Sequence, residues 1–116
     1  LMLLGRCDGD AAVADMIYEV IGTGLPTSES VPAALAIASH CRTPDRCALM
    51  FANLGGDTDT IGAMATAVCG AHAGIDGIPA AWVEQIERVN RVSIGDLARR
   101  TLAARQGFRV GRVPRS

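Results

Sequence analysis

The sequence predicts an all-α fold, and three observations carry that expectation. Aromatic residues are only 3% of a chain that is 49% hydrophobic, so Ala and Gly supply much of its apolar content. That composition favours closely packed helices over an aromatic-rich β-sandwich. Apolar residues also recur at helical spacing in segments separated by Gly and Pro. Finally, the best strand candidate, Cys47 to Leu54, follows Thr43-Pro44-Asp45, which is a strong helix start. The 116 residues suffice for one small domain with a real core and not for two. Residues 1–106 are expected to form one helical body, and 107–116 a flexible tail.

A short apolar start runs into Arg6, Cys7, Asp8 and Gly9. Asp10 to Ile21 reads as a helix with Ala11, Ala14, Met16, Ile17 and Val20 on its apolar stripe, stopped by Gly22-Thr23-Gly24. Leu25 to Ser30 is a polar loop. Pro32 then falls in the first turn of a second helix over Ala33 to His40, with Ser30 or Val31 at its cap. The third helix starts at Thr43-Pro44-Asp45 and runs to about Asn53, where Gly55-Gly56 ends it. Ile61 to Ala73 is a fourth helix, apolar on nearly every side and therefore central, with Gly74 as its stop. Pro79 opens a fifth helix through Trp82, Val83, Ile86 and Val89, with Glu84, Glu87, Arg88 and Arg91 outside. Ser93 to Arg105 is a sixth, with Ser93 as cap and Asp96 in the first turn. Gly107, Gly111 and Pro114 break any further helix and leave Arg109, Arg112 and Arg115 unbalanced.

Net charge is -1, and all eleven basic residues are Arg. The whole chain has no electrostatic reason to seek nucleic acid or membrane, and three scattered Arg in the tail make a weak patch. No apolar run approaches the roughly 18 residues of a membrane span, and no secretory leader is recognisable. A soluble, cytoplasmic protein is the expectation. The first residue is Leu rather than Met, which suggests a piece of something longer. Cys7, Cys41, Cys47 and Cys69 form no Cys-x-x-Cys pair and read as reduced, buried thiols. A zinc site from His40, Cys41, Cys47 and His72 matches no standard spacing.

The chemistry is expected at Asn53-Leu54-Gly55-Gly56-Asp57-Thr58-Asp59-Thr60-Ile61-Gly62. Two carboxylates and two hydroxyls stand in four residues, where a loop enters an apolar helix. Asp and Thr suit a helix start, and clustered hard oxygens suit Mg²⁺ or Ca²⁺ better than zinc. Burying unpaired carboxylates there is costly, so a cation or firm hydrogen bonding is required. The plainer alternative is that Asp57 caps the helix within a polar turn. An EF-hand is excluded because Ile61 stands at a ligand position and Val68 replaces the bidentate Glu. The Asp-x-Asp nucleophile of haloacid-dehalogenase-type phosphatases belongs after a parallel strand in an α/β chain, which this is not.

The block Asn53 to Thr60, its Ala/Gly helix, Gly77-Ile78-Pro79 and Trp82 resemble the C-terminal half of the ADP-ribosylglycohydrolase family. Upstream, Gly22-Thr23-Gly24-Leu25 and Glu29-Ser30-Val31-Pro32-Ala33-Ala34-Leu35 match the same pattern in order, so the likeness spans about Gly22 to Leu102. The resemblance implies an orthogonal helical bundle with two Mg²⁺ (or Mn²⁺) ions in a central cleft. It implies hydrolysis of N- or O-glycosidic bonds at the ribose of ADP-ribosylated proteins or ADP-ribose-containing small molecules. By the motif match, Asp57, Asp59 and Thr60 would be metal ligands. Gly22, Gly24 and Leu25 would lie along the ADP-ribose, with Leu25 near the adenine. His40 and His72, in apolar helices, read as core or interface residues. The family's Thr-Asp-Asp metal block and its early acid–base residue have no counterpart here, and no Asp-Asp dipeptide occurs. The catalytic residues are therefore expected in a missing N-terminal half. This chain supplies half of the dinuclear site and is expected to be inactive alone.

Overall fold

The computed structural model describes residues 9–107. Every regular element among them is helical, in agreement with the all-α expectation. The chain divides between Pro79 and Ala80 into two compact units. No helix among the described residues is long and apolar enough to cross a membrane.

In the first unit, α1 spans Asp10–Met16 and continues into a π-helical turn over Ile17–Ile21. The Gly22 N–H donates to the Ile17 carbonyl at 3.0 Å, a five-residue span that widens the last turn. The stripe that faces the core is Val13 and Ile17, both fully buried, with Ala14 packed beside them. Ala11 and Val20, expected on that stripe, are exposed.

The second helix, α2, spans Thr27–Cys41 and so begins six residues before the expected Ala33. The Pro26 carbonyl accepts N–H groups from both Glu29 and Ser30 at 2.9 Å and starts the helix. Pro32 is therefore inside the helix rather than in its first turn. A proline there leaves the carbonyl four residues back without its N–H partner. That residue is Ser28, which is exposed, so water can satisfy the group. Ser30, Ala33, Ala34, Ile37, Ala38 and Cys41 form the buried side of α2.

The third helix, α3, spans Pro44–Phe51 and starts at the predicted Pro44, with Thr43 at the cap position but its hydroxyl making no bond to the helix backbone. Turns carry the chain to Leu54. Then α4 spans Thr58–Ala73 and packs against α2 and α3. It buries Ile61, Gly62, Ala65 and Cys69, and the Phe51 ring fills the space that a side chain at Gly62 would need. Its opposite side is apolar yet exposed at Ala63, Ala67, Val68 and Ala71, so α4 is buried along one face rather than all round.

The second unit holds α5, Ala80–Asn90, and α6, Ile94–Gly107. Ser93 caps α6 as expected, its hydroxyl accepting the Asp96 N–H at 3.2 Å. The Glu87 carboxylate accepts the Ile94 N–H at 2.6 Å and fixes the turn between the two helices. No described side chain of this unit is fully buried, and Trp82, Ile86 and Val89 are exposed. The tail expected over 107–116 lies outside the described residues, except for Gly107 at the end of α6.

Candidate functional site

The Asp-rich segment lies where the chain enters α4. Gly55 and Gly56 precede it in the left-handed region, at φ 80° and 76°. Gly56 also lies against the Thr23 carbonyl and hydroxyl, leaving no room for a Cβ. That close approach lets the Asp57 N–H donate to the Thr23 carbonyl at 2.7 Å. Thr23 itself is buried. The loop over residues 22–26 and the start of α4 are thus joined, although about thirty residues separate them in the chain.

Within the first turn of α4, the Thr60 hydroxyl donates to Asp57 Oδ1 at 3.0 Å. The Asp57 carbonyl accepts the Ile61 N–H at 3.1 Å, while the Asp57 side chain makes no capping bond to the helix backbone. A hydrogen bond with the Asp57 carboxyl, and then the N–H groups of Thr60 and of Asp59 itself, hold the Asp59 carboxyl below its usual range. Asp57 is half-buried; Asp59 and Thr60 are exposed. Asp57, Asp59 and Thr60 thus gather at one helix start with oxygen donors open to solvent. Two adjacent carboxylates and a hydroxyl form a donor set that fits a hard divalent cation. Among the described residues, no three His, Cys, Asp or Glu side chains converge as a metal site.

Gly22 and Gly24 flank Thr23, and Leu25 projects from the loop with 80% of its surface exposed. Glu29, on the first turn of α2, reaches back to this loop and accepts the Gly24 N–H at 2.9 Å. Neither Thr23 nor Glu29 was marked by spacing as a site residue. The available signal was an acid three residues into a helix, the capping-box position. It is visible only once the helix is known to start at Thr27.

His40 Nε2 lies 2.8 Å from Asp10 Oδ1, which also accepts from Arg46 at 2.8 Å. His40 is thus an interface residue that ties α2 to α1. His72 lines an apolar groove of about 720 Å³ with Leu35, Arg42, Val68 and Cys69, away from the Asp-rich segment. Cys41, Cys47 and Cys69 are free and buried. Cys7 lies outside the described residues. A hydrogen bond with Cys41, together with burial, pushes the Cys47 thiol upward. The four-residue zinc set does not form among the described residues.

A family model described as ADP-ribosylglycohydrolase matches residues 2–109. The chain is 44% identical over 99 residues to an uncharacterized Escherichia coli protein, YegU, covering 84% of this chain and 30% of that one. It is 38% identical over 100 residues to ADP-ribosylhydrolase ARH3 of Danio rerio, covering 77% and 26%. With the ADP-ribosyl-dinitrogen reductase glycohydrolase of Rhodospirillum rubrum it shares 42% identity over 41 residues, covering 35% and 14%. The chain therefore spans under a third of the length of these relatives. No solved structure matches it significantly.

Proposed function

This chain belongs to the ADP-ribosylglycohydrolase family, and from that premise we propose that it supplies half of a divalent-metal site for cleaving ADP-ribose from a modified protein or small molecule. The observation that carries the reading is the bond from the Asp57 N–H to the Thr23 carbonyl, which unites the two blocks the sequence kept apart. One block offers carboxylates and a hydroxyl; the other offers a glycine-flanked loop and an exposed Leu.

Asp57, Asp59 and Thr60 would hold the ion, Mg²⁺ or Mn²⁺. When bound, such an ion supplies the charge that orients ribose hydroxyls and polarises the glycosidic bond. The protein's own part is to bind and align. Gly22, Gly24 and Leu25 would lie along the ADP-ribose, with Leu25 offering apolar contact to the adenine. Thr60 donates to Asp57 and so keeps one carboxylate oxygen in place. The other ligands and the acid–base group come from a part of the site outside these 116 residues. The chain alone would therefore turn over no substrate. The partial donor set among the described residues favours one second reading, a module that binds ADP-ribose or metal without catalysis.

The test is Asp59→Ala in a polypeptide that carries the whole site. Loss of a metal ligand should reduce Mg²⁺-dependent release of ADP-ribose by roughly 100-fold or more. Unchanged turnover refutes the ligand assignment. Absence of turnover in the unmutated polypeptide, with ADP-ribose still bound, selects the non-catalytic reading.

A further inference from the structure

We propose that Glu29 is a positioning residue, whose carboxylate aims the Thr23 carbonyl at Asp57 and so sets the Gly22–Leu25 loop against the start of α4. The proposal rests on the reading above only for the ligand that the loop would hold.

Glu29 stands on the first turn of α2 and is half-buried. Its Oε2 accepts the Gly24 N–H at 2.9 Å. The same oxygen lies 2.8 Å from where a Cβ on Gly24 would be, and 2.5 Å from that of Gly22. The carboxylate therefore occupies the space that two missing side chains leave on either side of Thr23. The Gly24 N–H and the Thr23 carbonyl belong to one peptide plane, so holding the N–H sets the direction of the carbonyl. The Thr23 carbonyl then points at Asp57, accepting its N–H at 2.7 Å. A charge-assisted bond to a carboxylate is stronger than a neutral one.

The coupling is measurable without catalysis. Amide hydrogen exchange is followed by NMR on the 116-residue chain, unaltered and as Glu29→Ala and Glu29→Gln. Glu29→Ala should speed exchange roughly tenfold at both Gly24 and Asp57, the scale of one charge-assisted hydrogen bond. Ile37 and Ala65, in the core, should keep their rates. Glu29→Gln retains an acceptor oxygen and should return both amides to within about threefold of the original. An unchanged Asp57 rate in Glu29→Ala overturns the proposal. So does a rise shared by Ile37 and Ala65, which marks general loosening. Should Glu29→Ala not fold, Gly24→Ala displaces the carboxylate by contact and should give the same selective rise at Asp57; an unchanged rate there overturns the proposal equally.

A parallel titration with ADP-ribose separates this proposal from the one it builds on. Glu29→Ala should raise the Kd roughly tenfold, and Glu29→Gln should recover it. If the unaltered chain binds no ADP-ribose, the ligand assignment of the loop fails, while the exchange rates still decide the role of Glu29.

Discussion

Asp10 shows how single residues tie this fold together and how far they can be read in advance. Its carboxylate meets His40 from α2 and Arg46 from α3, thirty and thirty-six residues on. The hydrogen bond from His40 and the nearby Arg46 hold its pKa below the usual value of 3.8. A carboxyl with a depressed folded-state pKa stabilises fully above its unfolded value and loses that effect as pH falls through the folded one. Asp10→Asn should therefore unfold at lower urea than the original chain at about pH 6, with the gap closing below about pH 4. Midpoints that stay parallel down to about pH 2 would show that the pair contributes nothing. The clustering of Asp57, Asp59 and Thr60 was legible because their contacts are local, within one turn of helix. The partner Thr23 was not, because pairing between distant segments leaves no periodic trace, and Glu29 was not, because its role follows only from a helix that starts at Thr27.

Among the elements, helix starts fell where a proline or a capping hydroxyl marked them, as at Pro44 and at Ser93. They failed where proline gave the wrong cue. Pro32 reads as a first-turn residue, yet Pro26 is the one that starts α2. The π-turn after α1 had no mark, because nothing in the types of Ile17 to Ile21 separates a five-residue hydrogen-bond span from a four-residue one. Helix ends carry a testable difference. The fourth helix stops at Gly74, but α2 stops at Arg42, which has φ 63° in the left-handed region. A side chain there costs about 1 kcal/mol, and glycine removes most of that cost. Arg42→Gly should therefore raise the unfolding free energy by about 1 kcal/mol in urea titration. A fall would mean that Arg42 makes contacts worth more than the strain.

For the whole molecule, composition gave the fold class and the apolar pattern placed most helices, but burial was overestimated. Among the described residues, the core lies in the first unit, from Val13 to Cys69. The amphipathic stripe of α5 and the outer face of α4 remain open among the described residues. An apolar helix face needs a partner that a fraction of the length need not contain, so periodicity alone could not tell a covered face from an open one. Family membership is consistent with that picture, since the match covers only 30% and 26% of these two relatives. The central claim remains that the start of α4 and the loop it holds form one side of a metal and ADP-ribose site. Its most direct test is Mn²⁺ added to the isotope-labelled chain, with paramagnetic broadening read at every amide. The account predicts broadening centred on Asp57 to Thr60, reaching Thr23 and Gly24, sparing Ala71 to Ala73 at the far end of α4, and lost in Asp57→Asn/Asp59→Asn. Broadening centred elsewhere, or unchanged by that double substitution, would contradict it.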